Sequence, residues 1–456
     1  MAPKRNAYSL FAAVSFVLLA CGRAAAGEGV DPNASFHPTP APPPAATAPQ
    51  AETQRRPPPA LKQTPRAQTV RQPAAPVSRA LPPSPGETRF RPNEVVVEFS
   101  GRAPAAAVDA LRRRHRLDEI AASRILLLGE DVRVWRAADG RSAAAILREL
   151  SGEPLIAAAQ PNYTYALQQA SDAARPAVAG QYALGKLRVD AARSLASGDK
   201  VLVAMVDTAV DETHPDLKDA IAAKTDTIGG ALWSLDHGTA IAGAIAARGA
   251  IEGAAPKARL LVARAFEASP SGPQGTTMSI AKGVDWAVGE GAKIVNMSFA
   301  GPPDPELRRV AAAAAAKGVV LIAAAGNAGP KSPPLYPAAD AGVLAVTATD
   351  ADDKLFENAN RGKYIALSAP GVDVLLPAPN GGYDLESGTS VAAALVSGVA
   401  ALVLERNPGL SAEALKKTLV STARPLAGAG HEAEFGAGLV DAMQALGADK
   451  PAAKTQ

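Results

Sequence analysis

The chain has 456 residues, more than one ordinary domain accounts for if all of it folds. Its 47 basic and 44 acidic residues leave a net charge of +3, and only 4% of residues are aromatic, which argues against a nucleic-acid-binding surface. The single cysteine, Cys21, excludes an internal disulfide and any zinc cluster built from thiolates.

The N-terminus has the pattern of an export signal over residues 1–26. Lys4 and Arg5 precede the apolar run YSLFAAVSFVLLA, which is short for a membrane span. Two processing readings fit. AAA at 24–26 suits a small-residue cleavage site, whereas LLAC at 18–21 resembles a bacterial lipoprotein signal in which Cys21 carries the lipid and tethers the chain to the cell envelope. Residues 27–88 are rich in Pro, Ala, Gln and Thr and have too few large apolar residues to bury a core; they predict a disordered linker.

Residues 89–168 predict a small α+β domain. EVVVEFS is strand-like, and PAAAVDALRRRH has helical spacing with proline in the first turn. The basic run LRRRHR at 111–116 is read as the solvated face of that helix. SRILLLG and DVRVWRA are read as strands joined at residues 129–131. SAAAILRELSG is a second helix with a serine start and a glycine stop, and LIAAAQPNYTYAL a last strand. The order β-α-β-β-α-β is that of the ferredoxin-like split unit.

Residues 180–446 alternate differently, and 447–456 form a polar tail. KVLVAMVD, ARLLVARAF, KIVNMSFAG, GVVLIAAAGN and VLAVTATD read as buried parallel strands. HGTAIAGAIAAR, SIAKGVDWAVGEG and PELRRVAAAAAAKG read as helices between them. The expected architecture is a three-layer α/β domain with a parallel central sheet. Polar residues gather where strands end and helices begin: Asp207, His237, Asn296, Ser298, Asn327 and Ser390. Each has a plain structural use when taken singly. Asp207 suits a strand-end turn, Ser390 a helix N-cap, and Asn327 a turn. Together they supply what serine chemistry needs. The hydroxyl requires a base, the imidazole is held by a carboxylate, and a carboxamide stabilises an oxyanion.

The order Asp, His, Ser, within AMVDTAVDETHPDL, HGTAIAGAIAA and SGTSVAAALVSG, resembles the subtilisin-like serine proteases. The resemblance covers nearly all of residues 180–446. It implies Asp207, His237 and Ser390 as the catalytic triad, and Asn327 in AAAGNAG as the oxyanion donor. It implies that Ser298, Phe299, Ala300 and Gly301 pair with substrate backbone, and that the Tyr336–Pro337 bond is cis. It also implies that residues 89–168 are a propeptide, an intramolecular inhibitor whose last strand blocks the site, with self-cleavage within 167–181.

The polypeptide substrate comes with the family, and no cofactor does. Many members bind calcium after the catalytic histidine, but here IAARGAIEGAAP offers only Glu252, so no strong calcium site and no other metal are expected. ATDADDKLFEN is read as a solvated loop, and His214 in ETHPDL as structural. Small residues at 298–301 and 323–325, Phe299 excepted, predict a moderately roomy apolar pocket. The sequence departs from the family at Ala209, Ala240, Ala394 and Leu395, where glycine, histidine, proline and histidine are usual. These departures keep open a pseudoprotease that binds peptide strands without cutting. A third reading, a structural envelope lipoprotein, would make the tether the working part.

Overall fold

The computed structural model describes residues 79–99, 101, 103–168, 181–231, 234–270, 272–428 and 430–447. The expected signal peptide, Cys21, most of the linker, the 169–180 segment and the polar tail lie outside the described residues.

The first ordered unit runs β1 (Phe90–Phe99), α1 (Ala105–Arg114), β2 (Leu117–Ile125), β3 (Glu130–Ala137), α2 (Ala143–Leu150) and β4 (Ile156–Leu167). The strands pair antiparallel in the order β2-β3-β1-β4, the ferredoxin-like arrangement. Ser142 caps α2 by accepting from the Ala145 N–H. The run of valines in β1 is explained by burial on both faces. Val95, Val97 and Phe99 pack with Trp135 under α1 and α2. Val96 points the other way, with Ile125, Val132 and Val134, into the core of the second unit.

Two expectations need correction here. The predicted linker ends too late. Residues 79–80 form a short strand beside Ala158 and Ala159, and the Glu87 carboxylate accepts from the Arg89 backbone and side chain. The hairpin turn falls at 126–129 rather than 129–131, because Leu126, read as a strand residue, stands exposed at the tip.

The second unit is built on β5 (Leu202–Asp207), β6 (Ile221–Asp226), β7 (Arg259–Arg264), β8 (Gln274–Thr276), β9 (Ile294–Met297), β10 (Phe299–Ala300), β11 (Val320–Ala324), β12 (Leu344–Thr349) and β13 (Ile365–Pro370). Seven of these form one parallel sheet, ordered β13-β12-β11-β9-β5-β7-β6. Alternate residues face opposite layers. Val203 and Met205 pack with α3 (Asp236–Ala246) and α6 (Thr389–Arg406). Ala204 and Val206 pack with α4 (Thr277–Gly289) and α5 (Pro305–Ala316). Helix α6 is apolar and long enough to cross a membrane by composition, yet it is almost wholly buried among the sheet and α3.

The face of the first unit opposite its own helices lies on α4 and α5. The Asp285 carboxylate accepts from the Leu126 and Leu127 N–H groups at 3.0 and 2.7 Å. Arg309 pairs with both Glu98 and Glu130 across the interface, and its Nη1 is also 3.3 Å from Glu306. Gln160 donates to Asp304 at 2.7 Å and accepts from the Glu306 N–H. The last turn of chain in β4 then enters the second unit as a strand between β8 and β10, antiparallel to both. The Tyr165 ring is buried there, edge-on to Phe299, and its hydroxyl donates to the Pro302 carbonyl.

Two outcomes follow from this interface. Burial and the neighbouring Glu98 carboxylate push the Glu306 carboxyl up to about 10. The folded chain therefore keeps a proton that the unfolded chain releases above about pH 4.3, and stability falls as pH rises from there to about 10. Glu306→Gln should flatten that slope and raise the unfolding midpoint at pH 9 relative to the parent; a midpoint lowered equally at pH 6 and pH 9 would show that Glu306 is ionised. A Cβ on Gly301 would stand 2.4 Å from the Tyr165 ring. Gly301→Val should therefore raise hydrogen exchange at the amides of 164–167 at least tenfold without altering β5, and unchanged exchange would contradict the packing described.

Candidate active site

The carboxyl ends of the parallel strands and the starts of two helices converge on one rim of the sheet. Asp207 closes β5 and is fully buried. His237 lies in the first turn of α3, and its Nδ1 is 2.7 Å from Asp207 Oδ1. The same oxygen accepts from the Thr208 N–H at 2.7 Å, and the Thr208 hydroxyl accepts from the Gly238 N–H at 2.9 Å, so strand and helix are tied on either side of the pair. With Nδ1 donating to the carboxylate, Nε2 is the free acceptor nitrogen of the neutral ring. It is buried and has no hydrogen-bond partner among the described residues.

Ser390 is not an N-cap. Gly388 takes that position, without a side-chain cap, and Ser390 sits inside the first turn of α6. Gly388 has φ of 155°, and a side chain there would strike the Gln168 carbonyl and crowd the Ser390 hydroxyl. The Ser390 Oγ donates to the carbonyl oxygen of Gln168 at 2.5 Å. Asn327 Nδ2 donates to that same oxygen at 2.7 Å. The amide of Asn327 is oriented from behind, since its Oδ1 accepts from the Thr389 N–H and hydroxyl at 3.1 and 2.8 Å. One carbonyl is thus held by a hydroxyl and a carboxamide at the start of a helix, where the helix dipole adds positive potential.

Backbone pairing fixes the chain that presents this carbonyl. The Gln168 N–H donates to the Ser298 carbonyl at 3.2 Å, while Leu167 and Ala166 are in register with Phe299 and Ala300. Ser298 works a second time through its hydroxyl, which donates to the Ser390 carbonyl and accepts from Asn296 Nδ2. Ser397, one helical stretch beyond Ser390, donates to Asn296 Oδ1. Gly301 bonds in both directions with Tyr336, whose peptide bond to Pro337 is cis. The structure therefore brings Asn327, Ser390 and the 298–301 segment together about Gln168, and joins Asp207 to His237 where β5 ends and α3 begins.

Sequence reasoning did not single out Thr208, Thr389 or Ser397. The threonines stand beside the motif residues, in VDT and GTS, and adjacency was the available signal. Nothing in the sequence marked Gln168 as the residue presented to the hydroxyl.

The departures from the family pattern leave this geometry intact. Ala209 does not adopt positive φ, so the missing glycine costs no strain there. Ala394 lies within the unbroken α6, and Ala240 is buried in α3. His214 is structural, as expected from its segment. It is fully buried, accepts from the Asp216 N–H, contacts the Gly382 carbonyl and lies edge-on to Tyr383.

Glu252 pairs with Arg193, and Asp353 pairs with Lys186 and Arg424. The nearby Asp216 carboxylate accepts from the Ala250 and Ile251 N–H groups and the Tyr383 hydroxyl. Among the described residues no three His, Cys, Asp or Glu side chains are gathered about a metal position.

Residues 198–438 match the subtilase family of peptidases. The chain is 37% identical over 256 residues to M-protease of Shouchella clausii, a match covering 55% of this chain and 65% of that protein. It is 34% identical to subtilisin DY of Bacillus licheniformis over 54% of this chain and 90% of the relative, and 36% identical to subtilisin Savinase of Lederbergia lenta over 55% and 91%. Among solved structures, fervidolysin of Fervidobacterium pennivorans, a keratinolytic enzyme related to subtilisin, superimposes with a TM-score of 0.68 at 24% identity, covering 84% of this chain and 64% of that one. At that identity the likeness speaks for the fold alone. A buried Asp–His pair, a helix-borne serine and an asparagine amide on one carbonyl, within a domain so matched, identify the chain as a member of the subtilase family of serine endopeptidases.

Proposed function

We propose that the chain is an exported serine endopeptidase, made as a precursor that cuts and then occupies its own active site. Asp207, His237 and Ser390 form the triad. Ser390 Oγ attacks the scissile carbonyl, and His237 Nε2 takes its proton and returns it to the leaving amine. Asp207 keeps the imidazole in the required tautomer and balances the imidazolium as it forms. Asn327 Nδ2 stabilises the oxyanion, and water repeats the sequence on the acyl-enzyme.

The observation that carries this reading is the Gln168 carbonyl oxygen, 2.5 Å from Ser390 Oγ and 2.7 Å from Asn327 Nδ2. That carbonyl lies between the hydroxyl and the carboxamide that the reaction would need beside a scissile bond. Residues 89–168 are then the propeptide, β4 stands where a substrate strand would run, and the bond to be cut is Gln168–Gln169. The substrate class is polypeptide in extended form, bound by 298–301 on one side and β8 on the other. Export and a lipid at Cys21 rest on the N-terminal sequence, which lies outside the described residues.

The test uses the chain without its signal peptide, exposed to a fluorophosphonate probe and a peptide substrate. The parent should take the label and Ser390→Ala should not. Asp207→Asn should retain the parent's fold while losing about 10⁴-fold in turnover. Asn327→Ala should lose about 10²–10³-fold, as removal of the oxyanion donor does in a subtilisin. A parent that refuses the label after removal of residues 89–168, or a Ser390→Ala variant that labels equally, would sink the reading.

A further inference from the structure

The side chain of Gln168 is held as closely as its carbonyl. It is buried. Its Oε1 accepts from the backbone N–H of Asn327 at 2.7 Å. Its Nε2 donates to the carbonyl of Ala166, two residues earlier in the same strand, at 3.0 Å. Both ends of the carboxamide are thus matched, acceptor to donor and donor to acceptor. Asn327 meets the residue twice, with its side-chain amide on the carbonyl and its main-chain N–H on the side chain.

From this geometry we infer that the first subsite is a glutamine reader, in which the Asn327 backbone N–H selects substrates with glutamine immediately before the cut bond. The inference rests on reading residues 164–168 as bound substrate. Methionine has nearly the length and volume of glutamine but neither donates nor accepts strongly, so it would leave the Asn327 N–H unmatched in a buried site. Unmet buried groups of this kind are what let a polar subsite reject an apolar analogue. Glutamate could accept from Asn327 with one oxygen, but its other oxygen would face the Ala166-type carbonyl of the substrate, acceptor against acceptor, as a buried charge. The order of preference is therefore glutamine, then methionine, then glutamate.

The neighbouring contacts explain why this reading is coupled to catalysis rather than to binding alone. The Asn327 amide is locked by Thr389, and its main chain follows directly from β11 through residues 325–326. A side chain that bonds the Asn327 N–H therefore holds the donor residue itself in register with the carbonyl. Loss of the bond is expected to appear in kcat as well as in KM.

The test is hydrolysis of three peptides, acetyl-Tyr-Ala-Leu-X aminocoumarin amides, with X as glutamine, methionine or glutamate. The Tyr-Ala-Leu portion copies residues 165–167 and keeps the strand contacts constant. Glutamine is expected to exceed methionine at least tenfold in kcat/KM, and glutamate at least a hundredfold. Methionine cleaved as fast as glutamine or faster, by an enzyme that takes the fluorophosphonate label, would overturn the inference and leave the protease intact. An enzyme that neither labels nor cleaves any of the three would overturn the proposed function, and this inference with it.

Discussion

One antiparallel ladder joins everything the structure does. Residues 164–168 leave the small α+β unit as the end of β4 and continue, without a break, as a middle strand between β8 and β10 of the α/β unit. Main-chain pairing sets their direction and register, so the carbonyl of Gln168 has only one place to go. The hydroxyl of Ser390 and the amide of Asn327 are already at that place. Move the ladder by one residue and every side chain would change faces, taking Tyr165 off Phe299 and Gln168 off Asn327.

The rim that receives this carbonyl is a consequence of the parallel sheet. Such a sheet directs the carboxyl ends of its strands and the starts of its covering helices to the same edge. Asp207 arrives from β5, Asn327 from the segment after β11, His237 and Ser390 from the first turns of α3 and α6. Small polar residues then fix what the main chain has brought near. Thr208 ties the aspartate to the histidine helix, Thr389 turns the Asn327 amide, and Ser397, Asn296 and Ser298 form a buried chain behind Ser390. A buried network with matched donors and acceptors is stiff, which suits a site where a displacement of about 1 Å costs about a hundredfold in rate.

Much of this was legible in the sequence because the relevant signals are local. The β-branched runs of the parallel strands, the serine and proline helix starts, and the three motifs around Asp207, His237 and Ser390 can each be read within a dozen residues. What was not legible depends on distant partners. Residues 79–88 read as more of the Pro-rich linker, and it is distant pairing of 79–80 with Ala158 and Ala159, with Glu87 on Arg89, that holds them. Leu126 and Leu127 looked like strand interior, and become a turn because Asp285, far along the chain, accepts their N–H groups. The Gln168 side chain meets a backbone N–H, that of Asn327, which no residue type announces. Ala209 and Ala394 raised doubt for the same reason, since their cost depends on φ and helix continuity.

The central claim is that Gln168 presents the bond that Ser390 cuts. It is tested most directly by following the intact mass and N-terminal sequence of the chain as it matures, beside its Ser390→Ala form. The account predicts a new N-terminus at Gln169 in the parent and none in the variant. A new N-terminus well away from Gln169, or the same cleavage in both proteins, would contradict it.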